Sequence, residues 1–361
     1  MNILGIETSC DETGAAIIDA NEHQRRILSN VLATSMHTHA KSGGIIPEIA
    51  ARQQGTYMIP VIHEALTKAH ISSSQLDAIA VTHGPGLIGS LLVGVETAKT
   101  LSYLWNKPLI PVNHLFGHVY ANWISDHTIV FPAVVLIVSG GHTDLLLMKS
   151  HTDITWLGGT CDDAAGECFD KCARLLGYDY PGGPKIAQFA KSGDNAAFSF
   201  PRPMIYNHDY DFSFSGLKTS FLNATKQHFP LLRKELTHIK GGWQQVAFGS
   251  QLSTSAQKQI LYNLCASLEK AIIDVLIIKT LKAARKYDVN SILLSGGVAA
   301  NQALRDTFAE ILEKEKLSVQ FVVPEKSLCT DNAAMIAAAG FFTKEKATWN
   351  DLEANPQLYF A

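Results

Sequence analysis

The chain has 361 residues, 47% hydrophobic and 17% charged, with a formal net charge of −3 at pH 7. This is globular composition, long enough for two domains or one two-lobed body, and it excludes a global electrostatic pull on nucleic acid. The start MNILGIETSCDE lacks a basic, apolar leader and no apolar run could span a bilayer, so a cytoplasmic protein without membrane attachment is expected.

In chain order, strand ILGIE leads through the turn TSCDETG into a second strand, AAIIDA. A helix is expected over about 47–69, with Ile49, Gln53, Tyr57 and Val61 in phase. Strand LDAIAVTHG, the glycine turn PGLIGS and helix SLLVGVETAKTLSYLWN follow. The run from Pro108 to Asn113 then delivers the chain into a segment that can turn helical and carries His114 and His118. At Phe131 a new strand opens, and VVLIVSGGHTDLLLMK repeats the strand, small polar turn, strand pattern of the N-terminus. Two such hairpins predict duplicated lobes facing each other across a cleft, in an α/β fold. The acidic segment GTCDDAAGECFDKCARLLG and the turn YPGGP come next, with Asp163, Glu167, Asp170, Lys171 and Arg174 spaced for one helical surface. A polar excursion over 226–259 leads into a helix expected over 260–286. SILLSGGVAANQALR is a third glycine turn between strand and helix, and CTDNAAMIAAAGFF places Asp331 before a helix of tiny residues. The tail ends with Trp349, Tyr359 and Phe360, aromatic groups suited to docking on the body or on a partner. The six cysteines form no CxxC and are expected as reduced thiols.

Several of these features carry chemistry. Imidazoles four residues apart on a helix share one face and can hold a metal ion, although an isolated pair is equally a pair of buried structural histidines. The zinc-protease helix HExxH is excluded, because Leu115 stands where its general base would be. The turns with Ser9, Asp11, Glu12 and Thr13, and with Ser139, Gly140, Gly141, His142 and Thr143, offer backbone N–H groups without bulk, which suits a phosphate. Asp170, beside a glycine turn, suits a ribose hydroxyl. Asp331 suits a helix N-cap and is also a carboxylate able to complete a two-histidine, one-carboxylate site if the chain folds back.

Taken together, the strings GIETSCDETG, SGGIIPEIAAR, GPGLIGSLLVG, VNHLFGHVYA, LIVSGGHTDL, DDAAGECFDK, YPGGP, FSFSGLKTS, SGGVAANQALR and CTDNAAMIA resemble, in that order, the TsaD/Gcp/Kae family of tRNA adenosine threonylcarbamoyltransferases. The resemblance implies the two-lobed actin/hexokinase/heat-shock-protein-like ATPase fold. The expected lobes are residues 1–127, completed by about 331–361, and residues 128–330. It implies His114, His118 and Asp331 as ligands of one divalent metal ion, Fe2+ ahead of Zn2+. It implies Ile137, Val138, Ser139, Gly140 and Gly141 along the substrate, with Asp170, Gly183 and Asn301 on its adenosine portion. The implied reaction passes a threonylcarbamoyl group from threonylcarbamoyl-AMP to the exocyclic amine of the adenosine beside the anticodon, in tRNAs reading codons that start with A. AMP leaves, and ATP or ADP would occupy the same site. Asp11 and Glu12 are the candidates for the group that takes or directs the amine's proton.

The implied partners are tRNA, a TsaB-like paralogue and a TsaE-like P-loop ATPase; the apolar helix over 91–105 is either a docking face or a core helix. Relatives carry His after EIAAR where this chain has Gln53 and Gln54. Lys41, Arg52, Lys185, Lys218 and Lys226 are candidates for a tRNA-facing surface. A small-molecule kinase or carbamoyl/acyl-phosphate transferase on the same fold would need no histidine pair. A non-catalytic scaffold paralogue would be expected to lack the pair or the SGGHT turn, and both are present.

Overall fold

The computed structural model describes residues 1–35, 45–124, 128–229, 252, 254–343 and 345–360. Most of the polar stretch over 226–259, together with Lys41, lies outside them.

Two five-stranded mixed sheets share one topology. The first holds β1 (Asn2–Glu7), β2 (Glu12–Ala20), β3 (Arg25–Thr34), β4 (Ala78–Gly84) and β5 (Leu109–Asn113), in the order β3-β2-β1-β4-β5. The second holds β6 (Ala133–Val138), β7 (Thr143–Met148), β8 (Ile154–Gly159), β9 (Ser291–Ser295) and β10 (Gln320–Val322), in the order β10-β9-β6-β7-β8. In each, the first three strands form an antiparallel meander and the remaining two add parallel to the first. The duplication expected from the paired hairpins is therefore a repeat of the whole sheet, in the two-lobed actin/hexokinase-like architecture.

Side chains alternate across each strand, and the alternation sorts the core into layers. Leu4 and Ile6 of β1 face an outer cluster closed by α1 (Pro47–Ala69) and α2 (Ile88–Trp105). Val134, Leu136 and Val138 of β6 face the outer cluster of the second sheet. That cluster is closed by α4 (Ala165–Leu175), α5 (Gly183–Ala190), α6 (Ser215–His228), α7 (Ser255–Lys286) and α8 (Gln302–Lys314). Ile3, Ala133, Val135 and Ile137 face inward to a shared cluster. Between the sheets lie α3 (His114–Tyr120) and α10 (Ala333–Phe342), with the short α9 (Lys326–Cys329) just before α10.

The tiny residues of α10 let it lie at backbone distance from β1. A Cβ on Gly5 would sit 2.2 Å from Ala333 O, and one on Gly340 would sit 2.7 Å from Ala80 Cβ. On its other flank, a Cβ on Gly117 of α3 would sit 2.6 Å from Ile336 Cδ1. Small residues on three elements thus bring the N-terminus of α10 beside the N-terminus of α3. Among the described residues, no helix is long and apolar enough to cross a membrane.

Candidate metal centre and cleft

β5 passes straight into α3 because Asn113 caps it, its Oδ1 accepting a hydrogen bond from Leu115 N at 2.8 Å. His114 and His118 then stand one turn apart, both buried, with ring centroids separated by 4.7 Å. The cap of α10 is Asn332, whose Oδ1 accepts from Met335 N at 3.0 Å, and not Asp331 as its position suggested. Asp331, one residue earlier, is left to face the imidazoles. Its Oδ1 lies 3.2 Å from His118 Nε2 and 3.6 Å from His114 Nε2. One ligand atom from each of the three residues lies within 4.8 Å of the others.

This donor set fits a divalent cation. His118 Nδ1 is buried without a hydrogen-bond partner and its Nε2 meets only Asp331, a costly arrangement unless something else meets the ring. Two imidazoles and one carboxylate suit iron or zinc and leave coordination positions open. Behind His114 sits Glu7, only 1% exposed, with Oε2 3.1 Å from His114 Nδ1. Ser9 Oγ is 3.2 Å from the same nitrogen. Glu7 is itself held, accepting from Ser9 N and from Thr82 Oγ1, each at 2.5 Å. A carboxylate on Nδ1 fixes the proton there and turns the Nε2 lone pair toward Asp331.

The charges agree. Burial alone would raise Glu7, but neighbouring His114 holds it below the usual carboxylate range. Burial likewise opposes ionisation of Asp331, which His114 and His118 hold well below that range. Burial would lower His114, yet Glu7 and Asp331 push it up to about 9. The surroundings favour positive charge at this point. Glu7 escaped the sequence reading; the signal was an acid closing an otherwise apolar strand.

The first hairpin turn is fastened from two helices. Gln54 Nε2 donates to Cys10 O at 3.1 Å and to Glu12 O at 2.9 Å, and Ser90 Oγ donates to Cys10 O at 2.9 Å. Gln54, at the site of the departure from the family pattern, thus supports the turn that carries Asp11 and Glu12. Burial pushes the Glu12 carboxyl up to about 10, with Asp331 and Asp11 adding to it. Asp11 is buried with Oδ2 unpartnered.

In the second turn Ser139 N donates to His142 O at 2.8 Å, and no atom occupies the space where side chains on Gly140 and Gly141 would be. Gly166 lets α4 reach this turn, since a Cβ there would sit 2.4 Å from Ser139 O. Gly296, at φ +87°, lets the third turn do the same from the other side, 2.5 Å from Val138 O. Ile137 and Val138 are wholly buried in β6 and pack into the inner and outer cores.

Asp170 Oδ1 accepts from Gly182 N at 2.7 Å and from Gly183 N at 3.1 Å, while burial pushes its carboxyl up. Asp163 precedes α4 and does not share its surface, though its carboxylate meets Lys171 Nζ at 2.6 Å. Asn301 caps α8 and also donates to Glu269.

These groups open on one cleft of about 1160 Å³, lined by Ser9, Cys10, Asp11, Glu12, His114, Ser139, Gly140, Gly141, His142, Asp170, Gly183, Asn301 and Asp331. The sequence pattern marks His142 only as part of its turn. Burial, then His114 and His118, push its imidazole down to about 4. The tail docks on the body: Asn355 N donates to His83 O at 2.7 Å, Phe360 packs edge-on against Phe116, and Tyr359 Oη donates to Asp144 beside the second turn. All six cysteines are free thiols, and four of them are buried.

Residues 26–338 match the family model described as tRNA N6-adenosine threonylcarbamoyltransferase, TsaD. Proteins of that name from Thermomicrobium roseum, Thermosipho africanus and Bacillus subtilis are 46%, 46% and 45% identical to the chain. The alignments cover 98%, 99% and 99% of the chain and 94%, 99% and 94% of the relatives. HypF from T. kodakarensis shares the fold at a TM-score of 0.58 and 14% identity, over 94% of this chain and 47% of that one.

Proposed function

We propose that this chain, which belongs to the TsaD family of tRNA N6-adenosine threonylcarbamoyltransferases, performs its transfer at the cleft mouth, between Asp331 and the turn of Gly140 and Gly141. The activity itself follows from family membership: a threonylcarbamoyl group is moved to the N6 amine of adenosine in tRNA. The matches favour neither the kinase nor the scaffold alternative.

The donor in this reading is threonylcarbamoyl-AMP, and the acceptor is the adenosine beside the anticodon. The N6 nitrogen attacks the carbamoyl carbon, the carbon–oxygen bond to phosphate breaks, and AMP leaves with the electron pair. In this reading the backbone N–H groups of Gly140 and Gly141, uncovered by side chains, meet the developing oxyanion. Asp11 takes the proton that N6 loses, because its buried oxygen is unpartnered while Glu12, pushed up to about 10, holds its own proton at neutral pH. Asp170, Gly183 and Asn301 hold the adenosine portion. His114, His118 and Asp331 hold one divalent ion, iron ahead of zinc, which when bound supplies charge neutralisation for the phosphate leaving group. Asp144, by accepting from Tyr359, ties the tail to the second hairpin.

The carrying observation is the convergence of two imidazoles and a carboxylate more than two hundred residues away in sequence, at the rim of a cleft that also receives Asp11 and the glycine turn. ATP or ADP would compete for the same cleft. A TsaB-like paralogue and a TsaE-like ATPase are the proposed protein partners. The exposed apolar residues Ile88, Leu92, Tyr103 and Leu104 on α2 offer the paralogue a face, while Leu91, Val95 and Leu101 of the same helix are buried.

The test is reconstitution. The adenylate is generated in situ from threonine, bicarbonate and ATP, unmodified tRNA and the chain with its partners are added, and the digested tRNA is read by mass spectrometry. A threonylcarbamoyl mass on adenosine is expected. Its absence, where a Bacillus subtilis relative succeeds, would reject the assignment.

A further inference from the structure

Away from the metal ligands, the cleft runs between α5, α7 and α8. Ala187, Ala266, Ile273 and Ala303 give it apolar patches there, beside polar Gln188, Lys270 and Gln302. Three acids line this end, Glu269, Asp274 and Asp306, and the buried one among them is Glu269, in the middle of α7 and 8% exposed. Its Oε1 accepts a hydrogen bond from Asn301 Nδ2 at 2.7 Å. Its second oxygen makes no hydrogen bond among the described residues, and the side chain lines the cleft. Asn301 is fully oriented, because its Oδ1 is committed to Leu304 N at 3.0 Å as the cap of α8. The amide can therefore present only Nδ2 to Glu269, and the acid's free oxygen is aimed by that bond. Burial pushes the Glu269 carboxyl up, opposed by the bond from Asn301 and by Lys191 on the cleft wall, so the carboxylate is favoured at mildly alkaline pH.

A slot with apolar patches and one buried, fixed acceptor on its wall suits a flat heterocycle that carries an amino group. We propose that Glu269 selects the base of the donor nucleotide by accepting a hydrogen bond from the exocyclic amine of adenine. This rests on the reading that Asp170, Gly183 and Asn301 hold the adenosine portion. An oxo group at the same ring position, as in hypoxanthine or guanine, would turn its own lone pairs toward the carboxylate and leave both acceptors unpaired in a buried place.

The test is binding of AMP, IMP and purine riboside 5′-monophosphate, which lacks the amine, to the full-length chain by isothermal titration calorimetry at mildly alkaline pH. The wild-type chain should bind AMP roughly tenfold or more tighter than either of the others. In Glu269→Gln the carboxamide oxygen stays on Asn301 and its NH2 turns to the base, so the AMP-to-IMP preference should fall by about tenfold or more toward IMP. A wild-type chain that binds IMP as tightly as AMP overturns the proposal without any variant. So does an unchanged preference in Glu269→Gln. Asp170→Asn separates the two levels of the reading. If it weakens AMP while Glu269→Gln leaves the preference unchanged, only the role of Glu269 falls. If neither substitution affects AMP, the placement of the adenosine falls and this inference falls with it.

Discussion

Replacing Gly5 with alanine should disable the metal centre without touching a ligand. Gly5 lies in β1 against α10, and an added Cβ would sit 2.2 Å from Ala333 O and 2.8 Å from Ala337 N. Both are backbone atoms, so no rotamer change relieves the clash. Restoring a carbon–oxygen separation of about 3.3 Å requires α10 to withdraw by roughly 1 Å. Asp331 lies two residues before that helix, and metal–ligand distances tolerate only about 0.2 Å. Gly5→Ala should therefore cost roughly 1–3 kcal/mol of stability through overpacking and weaken metal binding at least about tenfold. Gly117→Ala is the control, because its Cβ would meet the movable end of Ile336 at 2.6 Å and only side-chain atoms besides. Thermal melts and metal content by mass spectrometry, after equilibration against a competing chelator, provide the readout. Gly5→Ala with wild-type melting and metal content would refute the claim that backbone-distance packing of α10 positions Asp331. Equal damage from Gly117→Ala would refute it too.

Glu7→Gln should lower metal affinity about 10- to 100-fold in chelator competition. Its NH2 would donate to His114 Nδ1 and move the ring proton to Nε2, where the lone pair is needed; unchanged affinity would exclude this orienting role. Metal affinity should also depend on pH. His114 is raised from its ordinary 6.5 to about 9, so proton and metal compete for the ring, and apparent affinity should rise by up to about tenfold per pH unit toward 9 and level off above it. For the same reason the ion-free chain should lose stability as pH rises through about 9, having its full His114 contribution below about 6.5; a flat metal-binding profile from neutral to alkaline pH would contradict both statements. Gln54→Ala removes two hydrogen bonds from the first turn and should cost about 1–3 kcal/mol and much of the transfer rate, with metal content retained; a loss of metal instead would place Gln54 in a different role.

What could be read in the sequence was what depends on short periods. Imidazoles four apart, paired hairpins and glycine turns after strands are local patterns, and each is found where the spacing placed it. The start of α1 at Pro47 and its end at Ala69 were legible for the same reason. What failed was any assignment that neighbouring residues could share. Asp331 and Asn332 are both good caps, and only the packing of α10 shows that Asn332 takes the backbone while Asp331 turns to the histidines. Asp163 fits the helical spacing of α4, but the helix starts at Ala165. Glu7 could not be ranked, because its value lies in meeting His114, 107 residues away. The tail's aromatic residues were visible, whereas their docking depends on Gly84, where a Cβ would sit 1.9 Å from Asn355 O. The polar stretch over 226–259 lies mostly outside the described residues and gains no role.

The most direct trial is the metal stoichiometry of Asp331→Asn beside the wild-type chain, both purified identically and equilibrated with limiting ferrous ion under anaerobic conditions. Asparagine keeps the size of the side chain and leaves the Asn332 cap in place, but removes the charge that faces the imidazoles. One ion per wild-type chain and a near-complete loss in the variant, with its fold intact by circular dichroism, is the expected result. A variant that keeps its full complement of metal would mean that His114 and His118 do not close their site with the C-terminal carboxylate.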